Sequence, residues 1–124
     1  MEKAEKKILI VDDDLRMDKM LFFLFEGRGF QAKFADSGRY AMKLLEHFKP
    51  DVIILDLMMP DMDGFEVFES INKNSTLKNI PVIVLSALPS SKHKERAISL
   101  GACAYIDKPF VSEQLIDKIW EVIG

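Results

Sequence analysis

The chain has 124 residues, of which 48% are hydrophobic and 30% are charged, with a formal net charge of -3. This length is typical of one domain that buries a core without disulfides, and the weakly acidic balance argues against nucleic acid or anionic membrane as a partner. No apolar stretch approaches the roughly 18 residues of a membrane span, and the charged N-terminus does not resemble a signal peptide. We therefore expect one cytoplasmic domain over residues 1–124, with 1–6 as a loose extension and the single Cys103 as a small apolar filler.

Short apolar runs alternate with helical patterns from one end of the chain to the other. The runs that predict strands lie at 8–11, 31–35, 52–55, 82–85 and 104–106. The patterns that predict helices lie at 15–28, from 37 onward, from the turn at 60–64 onward, from 90 or 91 to 101, and from 112 to 124. Five strand–helix units predict an α/β fold with a parallel sheet.

The apolar character of the strands predicts their order. The first, third and fourth runs are apolar throughout, as expected for strands that helices cover on both faces. The second run alternates and the fifth is short, which favours edge positions. The order 2-1-3-4-5 meets these conditions with right-handed crossovers, and its chain reversal lies between strands one and three, where sites in open α/β sheets occur.

Polar residues follow the strands at the carboxyl edge of this sheet. Asp12 and Asp13 follow the first strand, Asp56 the third, Ser86 the fourth and Lys108 the fifth. Three converging carboxylates repel one another unless a cation lies among them, and oxygen ligands favour Mg²⁺ or Mn²⁺. A metal, a lysine and a hydroxyl around one carboxylate are what phosphoryl transfer to that carboxylate requires. The pattern predicts that one of these carboxylates is the nucleophile of such a site.

Four stretches together resemble the response-regulator receiver domain of two-component signalling, in its chemotaxis-regulator-like form. They are ILIVDDD (8–14), DVIILDLMMPDMDG (51–64), VIVLSA (82–87) and YIDKPF (105–110). The resemblance covers essentially the whole chain. It implies a flavodoxin-like (βα)5 three-layer sandwich and a phosphoacceptor signalling domain that catalyses only its own phosphorylation and dephosphorylation.

The resemblance also assigns residues to the metal and phosphoryl site. Asp56 would be the phosphoacceptor. Asp13, Asp56 and the backbone carbonyl of Met58 would bind Mg²⁺, and Asp12 would contact it mainly through water. Lys108 would pair with a phosphoryl oxygen.

Signalling roles follow from the same resemblance. Ser86 and the backbone of Ala87 would contact the phosphoryl group, Tyr105 would change rotamer with it, and the surface of helix 4, strand 5 and helix 5 would switch. The phosphoryl group would come from a sensor histidine kinase or a histidine phosphotransfer protein. Such partners would dock on helix 1, where Leu15 and Phe22 lie one heptad apart, and the domain would be a monomer or a weak phosphorylation-dependent homodimer.

Helical spacing also predicts which side chains pack in the core. One face of helix 1 should be buried, namely Met17, Met20, Leu21 and Leu24. Helix 4 offers Ala97, Ile98 and Leu100 as apolar anchors. Trp120 should pack partly against the core, and His93 should lie on the solvated surface.

Three other functions share parts of this pattern. An aspartate-nucleophile phosphatase uses similar groups, but it places the nucleophile after the first strand with a second Asp two residues on, where this chain has Met58. A flavodoxin-like cofactor binder needs a glycine- and hydroxyl-rich loop after strand one, where this chain has three aspartates. A receiver-like interaction scaffold that is never phosphorylated remains open.

Overall fold

In a computed structural model, five strands alternate with five helices over the described residues, 6–57, 64–86, 91–108 and 110–124. The side chains of residues 15–18, 91 and 92 are outside this description. The strands are β1 (Lys6–Val11), β2 (Phe30–Ala35), β3 (Val52–Asp56), β4 (Val82–Ser86) and β5 (Ala104–Asp107). The helices are α1 (Leu15–Glu26), α2 (Gly38–Leu44), α3 (Gly64–Lys73), α4 (Ser91–Ser99) and α5 (Ser112–Ile123).

The strands form one parallel sheet in the order β2-β1-β3-β4-β5, which confirms the predicted order. β3 and β4 are buried along their whole length, whereas the edge strand β2 alternates between buried and more exposed residues. The register between β1 and β3 pairs Val11 with Leu55. The residues that follow this pair, Asp12 and Asp56, therefore meet at the carboxyl edge of the sheet.

Two apolar layers cover the faces of the sheet. Alternate strand residues face opposite sides, as the two-residue period of a strand requires. The layer under α2, α3 and α4 includes Leu9, Ile53, Leu55, Val84, Phe68 and Ala97. The layer under α1 and α5 includes Ile8, Ile10, Ile54, Ile83, Phe25 and Leu115. The predicted three-layer sandwich is confirmed.

The start of β1 and the end of α1 each differ from prediction by two residues. β1 begins at Lys6, the last residue of the segment predicted to be loose, and residues 1–5 lie outside the described part of the chain. α1 ends at Glu26 rather than Arg28. Gly29 follows with a φ of 81°, a conformation that costs glycine little, and it marks the predicted exit from this helix.

Two packing predictions are wrong. Met20 is 50% exposed, because the buried face of α1 is centred on Leu21 and Phe25. Cys103 is exposed and does not fill the core. Among the described residues, no helix combines the length and the apolar character needed to cross a membrane.

Two aromatic contacts test the packing predictions for Trp120 and His93. Trp120 is 43% exposed and packs against Phe30 with ring centroids 5.0 Å apart, which confirms its partial core role. His93 is half-buried and stacks on Phe65 at 5.9 Å, so its prediction as a solvated surface residue is wrong.

Candidate functional site

The carboxyl edge of the sheet carries buried polar residues from three strands. Asp12 directly follows β1 and is 0% exposed, Asp56 ends β3 at 4%, and Ser86 ends β4 at 1%. Burying a carboxylate costs several kcal/mol or more unless hydrogen bonds or an opposite charge compensate it. The fold tolerates these groups because their partners arrive from neighbouring loops.

Lys108 is the partner that both buried carboxylates share. Its Nζ lies 2.9 Å from Asp12 Oδ2 and 3.1 Å from Asp56 Oδ2. Burial alone would lower the pKa of Lys108, but the hydrogen bonds and charges of Asp12 and Asp56 outweigh burial and raise it. The Lys108 backbone N–H donates to the Ser86 carbonyl at 2.8 Å, which ties the loop after β5 to the end of β4. The lysine is therefore a fixed cation in the pocket.

Asp12 is held through both of its oxygens. Lys108 contacts Oδ2, and the Asp14 backbone N–H donates to Oδ1 at 2.8 Å. A carboxylate bound this way, and fully buried, has little freedom to rotate. Its geometry suits an orienting group that holds Lys108 in place.

A third carboxylate completes an acidic cluster. Oxygens of Asp12, Asp13 and Asp56 all lie within 4.8 Å of one another, and Asp13 is exposed where the other two are buried. This donor set is all oxygen and carries three formal negative charges against the one positive charge of Lys108. Hard divalent cations such as Mg²⁺ prefer such ligands, and Asp13 opens the cluster to solvent. The residues present therefore fit a magnesium site.

The backbone beneath Asp56 is packed against the start of α3. Gly64 N–H donates to the Leu57 carbonyl at 3.0 Å. A Cβ at position 64 would lie 2.5 Å from both the Asp56 carbonyl oxygen and the Leu57 Cα. These are backbone atoms, which no rotamer change can move, so the site demands glycine here. Sequence reasoning took Gly64 as a turn residue; a glycine opening a helix next to a strand end was the signal for close backbone approach.

Tyr105 lies on β5 beside this edge. Its register partner on β4 is Val84, two residues before Ser86. The Tyr105 hydroxyl is buried, and within the described parts of the chain no hydrogen-bond partner reaches it. A buried hydroxyl without a partner is costly, which makes this side chain sensitive to rearrangement around it.

Some predicted site residues cannot be placed. Met58 and Ala87 lie outside the described residues, as does the side chain of Leu15. Phe22 is 37% exposed on α1, with its ring 6.1 Å from that of Phe34 on β2. The aromatic part of the predicted docking surface is thus partly exposed.

Comparison with known proteins gives one family. The response regulator receiver domain matches residues 8–120. The probable transcriptional regulator ycf27 of Guillardia theta is 36% identical over 121 residues, which are 98% of this chain and 46% of that protein. The response regulator MprA of Mycolicibacterium vanbaalenii is 34% identical over 91% of this chain and 48% of its own length. The chain thus spans about half the length of the curated relatives it matches.

Solved structures agree with this family. The Vibrio cholerae chemotaxis protein CheY4 superposes with a TM-score of 0.90 at 31% identity, covering 96% of this chain and 99% of that one. The signal receiver domain of a signal transduction histidine kinase from Syntrophus aciditrophicus gives a TM-score of 0.87 at 31% identity, covering 95% of this chain and 89% of its own. Both similarities extend over nearly the whole sheet and its helices.

Proposed function

The chain belongs to the response regulator receiver domains, and from this premise we propose that it accepts a phosphoryl group on Asp56 from a phosphohistidine of a partner protein. The main support is the buried Asp56 carboxylate, which lies 3.1 Å from the Lys108 ammonium inside a cluster of three aspartates. A nucleophilic oxygen, a fixed cation and ligands for a hard metal are thereby within a few ångströms of one another. Asp13, Asp56 and the Met58 carbonyl are the proposed direct magnesium ligands.

The proposed reaction is a phosphoryl exchange between two side chains. An Asp56 carboxylate oxygen forms a bond to phosphorus as the bond from phosphorus to the histidine nitrogen breaks, and the released imidazole takes up a proton. Mg²⁺ held by these ligands would supply positive charge to the phosphoryl oxygens. Lys108 gives up its contact with Asp56 Oδ2 and pairs with a phosphoryl oxygen, while Asp12 keeps the ammonium in position.

The proposed signal leaves the pocket through Ser86, Ala87 and Tyr105. The Ser86 hydroxyl and the Ala87 backbone contact the phosphoryl group. Tyr105, whose hydroxyl has no partner within the described residues, then changes rotamer. The surface of α4, β5 and α5 carries the change to an effector. We propose a cytoplasmic setting and a monomer or weak phosphorylation-dependent homodimer.

The proposed phosphodonor is a sensor histidine kinase or a histidine phosphotransfer protein that docks on α1. Phe22 is 37% exposed there and Phe23 is 76% exposed, with the two rings in edge contact at 6.1 Å. Exposed aromatic side chains are frequent anchors of protein interfaces. Leu15, at the start of the same helix, is the other proposed contact.

Intact mass spectrometry after incubation with acetyl phosphate and Mg²⁺ tests the central proposal. The unmodified chain should gain the mass of one phosphoryl group, and Asp56→Asn should gain none. The matched control is Asp51→Asn, because Asp51 lies just before β3 at the opposite edge, where it accepts from the Lys7 N–H. This control should be phosphorylated normally, and removal of Mg²⁺ should stop the reaction in both.

Three results would contradict the proposal. Equal mass gain in Asp56→Asn would place the acceptor elsewhere. No gain in the unmodified chain, at any donor concentration with Mg²⁺ present, would favour the interaction scaffold. Turnover of phosphate monoesters would favour the phosphatase.

A further inference from the structure

Helices α3 and α4 meet along a narrow line of polar and aromatic contacts. The Phe65 ring, 5% exposed at the start of α3, is stacked by His93 with an interplanar angle of 16°. The Arg96 guanidinium lies over the same ring, with Cζ 4.1 Å from its centroid. His93 and Arg96, from successive turns of α4, thus both pack against the Phe65 ring on α3.

Further contacts continue this line toward the other end of the helices. Arg96 Nη2 lies 3.7 Å from Glu69 Oε1, and Asn72 Nδ2 donates to the Leu100 carbonyl at 2.8 Å. The residues involved recur at helical spacing, along α3 on one side and along α4 and the turn that follows it on the other. We call this set the α3/α4 seam: Phe65, Glu69 and Asn72 with His93, Arg96 and Leu100.

The seam is important because α4 has little apolar anchoring. Of its side chains in the described part of the helix, Ala97 is fully buried, whereas Ile98 is 54% exposed, so the prediction of Ile98 as an anchor is wrong. A cation over an aromatic ring contributes about 0.5–1 kcal/mol at exposed sites and more when it is desolvated. Contacts of this size decide the position of a helix that an apolar core does not fix.

The Phe65 end of the seam lies next to the phosphoryl site. Phe65 directly follows Gly64, whose backbone is packed against the carbonyl oxygen of Asp56 and the Cα of Leu57. Contact between backbone atoms leaves no side chain to absorb a displacement. A shift of the Asp56 backbone therefore moves the start of α3, and with it the ring that His93 and Arg96 hold.

We propose that the α3/α4 seam couples the Asp56 pocket to the position of α4, with Phe65 and Arg96 as its positioning residues. This inference rests on the proposed phosphorylation of Asp56 and adds a second connection to α4, separate from Ser86 and Tyr105. Coupling is reciprocal, so a partner that holds α4 also changes the free energy of phosphorylation at Asp56.

Amide hydrogen exchange of α4, measured before and after phosphorylation by acetyl phosphate and Mg²⁺, tests the seam. The variant is Arg96→Met, which keeps the aliphatic length and removes the guanidinium. The matched control is Lys94→Met, the same loss of charge at an exposed position on the same helix. Phe65→Leu removes the ring from the α3 side and keeps the position apolar. Intact mass on the same samples gives the phosphorylated fraction.

Arg96→Met and Phe65→Leu should each speed α4 exchange in the unphosphorylated state by roughly two- to fivefold. More importantly, the ratio of α4 exchange rates between the phosphorylated and unphosphorylated states should fall toward one in both. Lys94→Met should keep the ratio of the unmodified chain.

A purely structural seam would give a different result. Exchange would then rise by the same factor in both states and leave the ratio unchanged, which would overturn the inference alone. An unmodified chain that is phosphorylated without any change in α4 exchange would also overturn it. Failure of the unmodified chain to gain phosphoryl mass would overturn the proposed function and this inference together.

Discussion

Replacing Gly64 with alanine places a methyl group between α3 and the backbone that carries Asp56. The added Cβ would lie 2.5 Å from two backbone atoms, whereas ordinary van der Waals contact begins at 3.4 Å. The start of α3 and the end of β3 must therefore move apart by the difference, 0.9 Å. Overpacking of this kind costs about 1–3 kcal/mol, and the better helix propensity of alanine returns at most about 1 kcal/mol.

The larger effect should be on phosphorylation. A displacement near 1 Å at a reacting group costs up to about 100-fold in rate, so we expect Gly64→Ala to be phosphorylated about 10- to 100-fold more slowly. The measurement is the rate of phosphoryl mass gain at fixed acetyl phosphate and Mg²⁺, together with the free energy of unfolding from urea titration.

Gly27→Ala supplies the matched control. The same methyl group at position 27 meets carbonyl oxygens at 3.5 Å and 3.7 Å, which is ordinary contact, and the site is far from Asp56 along the chain. This variant should keep its phosphorylation rate. Gly64→Ala with unmodified rate and stability would show that the backbone contact does not set the geometry of Asp56.

Three further changes test other parts of the molecule. Asp13→Asn should abolish the rise in Tm that Mg²⁺ gives the unmodified chain, whereas Asp14→Asn, beside it, should keep that rise; equal loss in both would point to nonspecific charge. Arg28 Nη2 lies 2.6 Å from Glu113 Oε1, and this hydrogen bond is the main cause that lowers the pKa of Glu113. The stability that the pair contributes is therefore fully present above the ordinary Glu113 pKa of 4.5, and it is lost as the pH falls through the lowered pKa of the folded state. The free energy of unfolding of Glu113→Gln, from urea titration, should therefore lie below that of the unmodified chain at neutral pH and meet it in acid; a constant gap would exclude the ionic origin. Phe22→Asp should slow phosphotransfer from a cognate histidine kinase while acetyl phosphate still reacts at its usual rate, and equal slowing of both reactions would rule out docking on α1.

The strand order was predictable because the burial of a strand determines which of its residues are apolar. β3 and β4 are covered on both faces, so every residue in the runs 52–55 and 82–85 is apolar, while the edge strand β2 alternates. Once the sheet is parallel, the carboxyl ends of its strands share one edge, and this brings Asp12, Asp56 and Lys108 together without further information. The sequence predicted that Lys108 lies near these carboxylates, but not that its ammonium contacts both of them.

Other features needed the three-dimensional structure. α1 is apolar around much of its circumference, so helical periodicity did not distinguish Met20, which is exposed, from Phe25, which is buried. The stacking of His93 on Phe65 depends on how α3 and α4 lie beside each other. The hydrophobic pattern of either helix alone does not predict that arrangement. Cys103 has no periodic neighbours from which its exposure could be read.

The pairing of the parallel strands also determines when the proposed acceptor site is assembled during folding. Pairing β1 with β3 joins Ile8 to Val52, a separation of 44 residues, whereas pairing β1 with β2 joins Lys6 to Phe30 across only 24. Asp12 and Asp13 meet Asp56 only through that long-range pairing, and Lys108 reaches them only after β5 has joined as well. A partly folded chain in which β1, β3, β4 and β5 have not all paired thus lacks the assembled acceptor site. The proposed phosphorylation at Asp56 therefore requires four of the five strands to be in place.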